Sequence, residues 1–423
     1  MSSQSPSPPS RLASLDAYRG FIMLVMASSG FAFAEVVKKA EEAKNLDIAD
    51  SPLWRFLAYQ FEHVAWTGCA FWDLIQPSFM FMVGVAMPFS HASRVAKGQS
   101  STKIAAHVLC RSLVLILLGI FLSSNGSGQT NFTFVNVLTQ IGLGYAFVYL
   151  LLGKSFVSQL LVLLAILGGY WYLFFQQPVQ DLGYTILTST AGDRELWSSG
   201  LFAHWNKNAN FAAEFDQWFL NLFPRSKPFY LNDGGYQTLN FVPSMATMIL
   251  GLMAGELLRG ARRPMAKFLF LFGAGALCLA IGWGLDATIC PSVKRIWTPS
   301  WAVFSAGWVF WILAGFYLII DVIGFRIWAF PLVVVGMNSI AMYCMSQLLG
   351  GRRGWISRTL TTHLDWGYQA LTAKMPPDSI WQTGFGPHLF GGTYGPIVQS
   401  VAVLTVLWLV CFWMYRRGIF LRI

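Results

Sequence analysis

Long apolar stretches dominate the chain, and polar segments of very unequal length separate them. A helix needs roughly 20 apolar residues to cross the hydrocarbon of a bilayer, and ten stretches approach that length. The sequence therefore predicts an all-α fold, namely a polytopic membrane helix bundle with about ten transmembrane helices. The predicted spans centre on residues 18–36, 72–92, 104–123, 133–152, 157–176, 238–258, 265–286, 301–323, 328–349 and 395–415.

Three of the polar segments are long, near 37–71, 177–237 and 350–394. Long loops in a compact protein tend to carry function. We therefore expect them to form an extracytoplasmic face that holds a polar ligand beside the membrane. Residues 13–423 then form one transmembrane domain. The Ser/Pro-rich residues 1–12 are expected to be a disordered cytoplasmic tail, with no cleaved signal peptide.

Composition supports a membrane protein. The chain is 55% hydrophobic and only 11% charged, whereas average soluble domains are about 25% charged. The net charge of +10 does not indicate nucleic-acid binding, because the basic residues recur between apolar stretches and form no single stripe. Membrane lipids and a phosphate-bearing ligand are the partners that this charge suggests.

The basic residues also predict the orientation. Counted from a cytoplasmic N-terminus, the inner connections carry most of the basic residues close to span ends, as the positive-inside rule requires. Both termini are therefore expected in the cytoplasm. The inner basic residues are Arg11, Arg94, Lys97, Lys103, Lys154, Arg259, Arg262, Arg263, Lys267, Arg326, Arg416, Arg417 and Arg422.

The six cysteines give little chemistry. Four lie in apolar stretches and are predicted to be small buried hydrophobic residues. Cys69 and Cys290 lie near the predicted outer face, so a disulfide between them stays open, because sequence cannot supply the geometry. Neither a C-x-x-C motif nor a metal-ligand spacing occurs, and we expect no metal cofactor.

Two pairs of polar residues near span ends are candidates for chemistry. Asp16 and Arg19 are three apart at the start of the first span, and they form either a local ion pair or the mouth of a cytoplasmic ligand site. His63 precedes Asp73 by ten residues, so a turn could bring them together. A histidine titrates near neutrality and can serve as base or nucleophile, although a lone loop histidine is more often structural.

Polar residues within the spans have two interpretations each. Arg111 suggests a phosphate partner, or else a protein carboxylate. Asn338 is either a hydrogen-bond donor in a site or a link between helices. Lys294 and Arg295 lie on the predicted outer side, where an acidic acceptor or the lipid interface would suit them.

Several motifs, read in order, resemble one family. LDAYRG, HVAWTG and DLIQPSFMFMVG, beginning at Leu15, His63 and Asp73, resemble the opening elements of the heparan-α-glucosaminide N-acetyltransferase family of transmembrane acyltransferases. Weaker likenesses follow along nearly the whole chain. They are CRSL at Cys110 with Leu118-Gly119, VL at Val137 through Gly142 and Tyr145, GGYQTLNFVPSMATMILGLMAG at Gly234, KRIWTPS at Lys294 and GMNSI at Gly336.

The resemblance implies a reaction and its residues. Members take acetyl-CoA from the cytoplasmic side and acetylate an amine or hydroxyl of a sugar on the opposite side, with a central histidine that matches His63. Acetylation of that histidine and general-base catalysis both stay open. We expect Asp73 and Asn338 to be catalytic with His63. We expect Arg19 and Arg111 to bind acetyl-CoA, and a sugar or glycan acceptor to meet Trp66, His204, Asp233 and Asn240.

The chain departs from this family at one place. Human-type members have a catalytic asparagine shortly after the first span, whereas Ser28-Ser29-Gly30-Phe31 here offers no amide. A catalytically inactive scaffold is therefore one alternative. An amino-sugar or solute transporter is another, since Arg111, Gln140, Asn240 and Asn338 lie within spans, although no internal repeat supports it. A bacterial inner membrane is the expected location, because the long luminal N-terminal region of lysosomal members is missing. A homodimer stays open.

Overall fold

The computed structural model describes residues 12–179, 197–351, 354–376 and 388–421. Within these ranges the chain is helical, and β-pairing is confined to isolated bridges. The predicted all-α fold is confirmed. The described α-helices are α1 (Ala13–Ala27), α2 (Phe33–Glu42), α3 (Leu46–Ala49), α4 (Pro52–Gln60), α5 (Ile75–Ala96), α6 (Ser101–Ser123), α7 (Val137–Tyr149), α8 (Phe156–Gln176), α9 (Phe211–Leu220), α10 (Phe241–Arg259), α11 (Pro264–Thr288), α12 (Pro299–Phe316), α13 (Phe330–Gly336), α14 (Ser339–Met345), α15 (Trp355–Thr372) and α16 (Gly395–Arg416).

The tail predicted for residues 1–12 lies outside the described residues, except for Leu12. The long polar segments predicted near 177–237 and 350–394 are described in part. The described part of the segment near 177–237 contains α9, and that of the segment near 350–394 contains α15.

Six described helices are long and apolar enough to cross a membrane, and the number rises to eight if each of two bent pairs is one span. The six are α6, α8, α10 with the turn before it, α11, α12 with the turn after it, and α16. Large apolar side chains cover the exposed faces of α6, α8, α11 and α16, as lipid contact requires. The chain is an integral membrane protein, and the expected count of about ten spans is not confirmed.

Two predicted spans account for the difference. The span predicted at 72–92 corresponds to α5, which has membrane length but includes Gln76, Ser78, Ser90 and His91. The span predicted at 133–152 corresponds to α7, a shorter apolar helix. Both helices bury many of their residues inside the bundle. A helix surrounded by protein needs less apolar character than one that faces lipid, so its hydropathy signal is weaker.

Helices α5 and α10 pack with their backbones in close contact. A Cβ atom on Gly84 would lie 2.0 Å from the Met248 oxygen, and one on Gly251 would lie 2.0 Å from the Phe81 oxygen. Gly255 meets Val85 in the same way, with a Cβ 2.4 Å from the Val85 oxygen, so the small residues Gly251 and Gly255 permit the close approach of the two helices. Gly251 meets Phe81 and Gly255 meets Val85, so the residue numbers rise in the same direction along the two contacting helices. Helices α5 and α10 are therefore parallel, and their N-terminal ends lie at the same end of the bundle.

Two loops meet at that end. The segment before α5 pairs with the loop between α11 and α12, through an antiparallel bridge between Thr67 and Val293 and a hydrogen bond of 3.0 Å from Gly68 N to Ser292 O. Trp297, fully buried with φ of 47°, turns the second loop into α12. Its indole nitrogen donates to Thr247 Oγ1 of α10. The second loop is thereby held against both the first loop and the bundle.

Cys69 and Cys290, the cysteines of these loops, are free thiols. Cys69 is half-buried, and Cys290 lies against Ser300 Oγ at 3.5 Å. The disulfide that the sequence left open is not formed in this structure.

Candidate active site

The loop from His63 to Asp73 folds around the Asp73 carboxylate. Asp73 lies in a 3-10 turn, Phe71–Leu74, directly before α5. Its Oδ2 accepts backbone hydrogen bonds from Ala70 N at 3.2 Å and Val64 N at 3.3 Å. These contacts close the ten-residue separation and bring His63 back to the start of the helix, as the spacing suggested.

His63 and Asp73 form a hydrogen-bonded pair. His63 Nδ1 lies 2.7 Å from Asp73 Oδ1. The carboxylate side chain is 1% exposed, whereas the imidazole is 37% exposed. When Nδ1–H donates to the carboxylate, the lone pair of Nε2 remains for other chemistry. Among the described residues, Nε2 has no hydrogen-bond partner. Nδ1 is therefore held by the Asp73 carboxylate, and Nε2 is available for reaction at the partly exposed edge of the ring.

Lys294 completes a cluster of three charged groups. Its Nζ lies 3.0 Å from His63 Nδ1 and 3.3 Å from Asp73 Oδ1, and its side chain is 5% exposed. Lys294 begins a short 3-10 turn, Lys294–Ile296, in the loop before α12. From the sequence, Lys294 was expected to meet an acidic acceptor or the lipid interface. Its burial excludes the lipid interface, and the KRIWTPS motif was the available signal for its importance.

Burial and charge shift the pKa values of all three groups. Burial lowers the pKa of His63; the Asp73 hydrogen bond partly opposes this effect, and the charge of Lys294 adds to it. Burial alone would raise the pKa of Asp73, but the His63 hydrogen bond and Lys294 leave it below its usual value. Burial lowers the pKa of Lys294 to about 8, despite the attraction of Asp73. At neutral pH the cluster thus combines a neutral imidazole, a carboxylate and an ammonium group.

Arg295 and Asn240 connect the loops around this cluster. Arg295 donates to Gly234 O at 2.7 Å and to Val64 O at 3.2 Å. Asn240 Nδ2 donates to the backbone oxygen of Arg295 at 2.7 Å, while its buried Oδ1 has no partner among the described residues. The predicted acceptor-binding residue Asn240 therefore lies next to the cluster, where it holds the Arg295 backbone.

The other residues expected to bind the acceptor are dispersed. Trp66 is buried in an aromatic group with Tyr170, Phe174 and Trp205, and its indole nitrogen donates to Trp205 O at 3.0 Å. His204 Nδ1 contacts Gln177 O at 2.9 Å. Asp233 is exposed, one residue before Gly234. Trp66 and Asp233 thus lie on segments that contact the cluster, and the hydrogen bonds and ring contacts of His63 go to other side chains.

Asn338 belongs to a different part of the bundle. It is fully buried at the 68° break between α13 and α14. Its Nδ2 donates to Ile419 O and its Oδ1 accepts from Leu421 N, both at 3.1 Å. The amide expected to be catalytic is therefore engaged at both ends by the backbone after α16.

The two arginines expected to bind acetyl-CoA lie on different helices. Arg19 on α1 is 3.8 Å from Asp16 Oδ1, in agreement with the local ion pair that the sequence suggested. Arg111 on α6 stacks over the Tyr145 ring at 4.7 Å. Among the described residues Arg111 forms no ion pair, so the protein carboxylate considered for it is not found.

The segment that departs from the resembled family forms an unusual turn. Ser29, Gly30, Phe31 and Ala32 all have positive φ, between 49° and 66°. This left-handed turn separates α1 from α2, and Gly30 packs against Phe61, where a Cβ would lie 3.0 Å from the Phe61 oxygen. The turn that lacks the asparagine of the resembled family therefore lies next to the segment that carries His63.

Comparison with known proteins gives a distant relationship. No protein-family profile matches the chain. Heparan-alpha-glucosaminide N-acetyltransferase of Homo sapiens is 24% identical over 379 residues, covering 79% of this chain and 52% of that protein. The Mus musculus protein of the same name is 25% identical, covering 69% and 50%. The chain spans about half the length of these relatives. The sequence is thus distantly related to the heparan-alpha-glucosaminide N-acetyltransferases.

Proposed function

We propose that this protein is a transmembrane acetyltransferase. It would move the acetyl group of cytoplasmic acetyl-CoA to an amine or hydroxyl of an extracytoplasmic sugar or glycan. The relatives named above support the acetyl-transfer chemistry. The positive-inside bias of the connections supports the proposed orientation, with both termini in the cytoplasm of a bacterial cell.

The hydrogen bond between His63 and Asp73 is the observation that carries this proposal. A buried carboxylate on Nδ1 orients the imidazole and stabilises the charge that forms when Nε2 takes up a proton. The low pKa of His63 keeps the ring neutral at physiological pH. A neutral, oriented and partly exposed imidazole is the form required of a general base or a nucleophile.

Two routes are compatible with this geometry. In the first, Nε2 attacks the thioester carbonyl, the carbon–sulfur bond breaks, and CoA leaves as a thiolate. The acceptor then displaces the imidazole from acetyl-His63, and the proton that the acceptor loses balances the one that the thiolate takes up. In the second, Nε2 removes the proton from the acceptor amine or hydroxyl while that group attacks the thioester carbonyl; the carbon–sulfur bond breaks, and the CoA thiolate takes the proton from His63. Both routes give acetylated acceptor and free CoA.

Lys294 would preserve the charge balance in either route. Its ammonium group neutralises Asp73 while His63 is neutral, and it opposes premature protonation of the ring. Neither route uses Asn338, because both ends of its amide are hydrogen-bonded to the backbone.

The test is acetyl transfer by the purified protein. Incubation with acetyl-CoA and an amino sugar should release free CoA, and His63→Ala should abolish the release while the melting temperature stays near that of the wild type. His363→Ala, which changes an exposed histidine of α15, is the matched control and should retain turnover. Unchanged turnover in His63→Ala would remove the proposal, and sugar uptake into vesicles without acetyl-CoA would favour a transporter.

A further inference from the structure

Helices α5, α6 and α7 bring together a cluster of cationic, imidazole and phenol side chains. These side chains lie near the C-terminal end of α5, whereas Asp73 precedes the N-terminal end of that helix. Arg94 follows Asp73 by 21 positions, so the helical rise separates the two by about 30 Å. We call this feature the basic groove, and its residues are His91, Arg94, His107, Arg111, Tyr145 and Tyr149.

Arg94 of α5 joins the groove to α6. Its guanidinium NH2 lies 2.5 Å from His107 Nε2, and its NH1 donates to Gln99 Oε1 at 3.1 Å. Arginine can only donate hydrogen bonds, so His107 Nε2 accepts and the ring is neutral. The remaining donors of Arg94 can meet an anion, because Arg94 is only partly buried and forms no ion pair among the described residues.

Arg111 extends the groove deeper into the bundle. It follows His107 by four residues, which puts both on one face of α6. Its guanidinium stacks on Tyr145 at 4.7 Å, and its buried Nε has no hydrogen-bond partner among the described residues. Tyr149, one turn after Tyr145 on α7, contacts His91 Nδ1 at 2.8 Å. The tyrosines thus pack beneath the basic side chains.

The groove carries positive charge without compensation by acidic side chains. Among the described residues, no carboxylate lies within ion-pair distance of Arg94 or Arg111. Glu256, an acidic residue at the same end of α10, is engaged by Gly153 N and by Gln159 Nε2, each at 3.0 Å. Stacking on Tyr145 offsets only part of the cost of an arginine at this depth. An intramembrane arginine without a protein partner normally serves a ligand or lipid.

We propose that the basic groove binds phosphoryl groups. Arginine is the preferred residue for phosphate because its fork of donors matches phosphate oxygens. Given the proposed function, the ligand is the nucleotide end of acetyl-CoA, with its thioester directed toward His63 at the other end of α5. An anionic lipid headgroup offers the same chemistry, so the two sources must be separated by experiment.

Direct binding of adenosine 3′,5′-bisphosphate tests the site without any turnover. The full-length protein in neutral detergent should bind this compound, and Arg94→Gln and Arg111→Gln should each weaken binding by about tenfold or more, because each removes charged hydrogen bonds. Arg262→Gln is the matched control, since Arg262 also stacks on an aromatic ring, at 4.4 Å from Phe270, outside the groove. Arg94 is partly exposed and lies in the last turn of α5, so its variant should fold normally even if the Arg111 variant does not.

Two further arms identify the source of the phosphate. Acetyl-pantetheine, which lacks the phosphates, should be turned over equally by the wild type and Arg94→Gln, whereas acetyl-CoA turnover should fall in the variant. Stabilisation by phosphatidylglycerol vesicles alone, lost in Arg94→Gln, would assign the groove to lipid. Undiminished bisphosphate binding in both variants would overturn the proposal and leave the proposed acetyl transfer intact. Bisphosphate binding without any acetyl transfer would support the groove and refute the proposed function.

Discussion

Lys294 Nζ lies 3.0 Å from His63 Nδ1, although 231 positions separate the two residues in the chain. An ammonium group and an Nδ1–H cannot donate to each other, so Asp73 Oδ1, which is within 3.3 Å of both nitrogens, is their common acceptor. This arrangement directs the Nδ1 proton toward the carboxylate and leaves Nε2 unprotonated. The ionisation of Lys294 is therefore coupled to the state of the proposed catalytic ring.

Asp73→Asn tests the orientation of His63. The substitution keeps the size of the side chain but removes the charge that stabilises a protonated imidazole, so turnover should fall by about 10²- to 10⁴-fold. The Asp73 hydrogen bond and charge raise the pKa of His63, so the acid limb of the pH–rate profile should move to lower pH. An unchanged pH–rate profile in Asp73→Asn would mean that the hydrogen bond between His63 and Asp73 does not influence turnover.

Lys294→Met should move the acid limb of the pH–rate profile to higher pH, opposite to the shift expected for Asp73→Asn. The ammonium group lowers the pKa of His63, so its removal raises that pKa and shifts the acid limb to higher pH. Lys294→Arg keeps the positive charge and should leave the limb near its wild-type position. A role of Lys294 in packing alone would reduce activity in both variants without displacing the limb.

The stability of the wild type should rise with pH because of Lys294. Its pKa falls from 10.5 in the unfolded chain to about 8 in the fold. The unfolded chain therefore binds more protons between these values, and the free energy of unfolding increases as the pH rises from about 8 to 10.5. Melting temperatures of the wild type and Lys294→Met in one detergent measure this effect. The increase should be smaller in the variant, and equal slopes would contradict the assignment.

Asp216→Asn should stabilise the protein above neutral pH. Asp216 of α9 is fully buried, and its Oδ1 has no partner in the described part of the chain. Burial raises its pKa to about 7, so the wild type loses stability as the pH rises from about 4 to 7. The variant lacks this titration. Its melting temperature relative to wild type should therefore increase across that pH range, and a constant difference would contradict the prediction.

Gly251→Ala should separate α5 from α10. A Cβ at this position would lie 2.0 Å from the Phe81 oxygen, and such overpacking typically costs about 1–3 kcal/mol. Because α5 begins directly after Asp73, acetyl transfer should decline together with the melting temperature. Gly273→Ala in α11 is the control, since a Cβ there meets no atom within 4 Å, and it should be neutral or slightly stabilising. Equal behaviour of the two variants would refute the packing argument.

Much of the architecture was predictable from the sequence. Hydropathy identified the six helices that meet the membrane criteria and the two bent pairs, because contact with lipid requires apolar side chains whatever the helix packs against. It also suggested spans at α5 and α7, whose own composition is less decisive since protein surrounds them. The proximity of His63 and Asp73 was likewise accessible, because ten residues and one turn connect them.

The tertiary structure decided which distant residues meet. No local pattern indicates that the loop before α12 carries Lys294 to His63, or that the Asn338 amide is engaged by the backbone after α16. The basic groove also depends on which faces of α5, α6 and α7 pack together. Hydropathy is a property of each segment alone, whereas these contacts depend on how the whole set of helices fits, through close backbone approaches such as the one at Gly84 and Gly251.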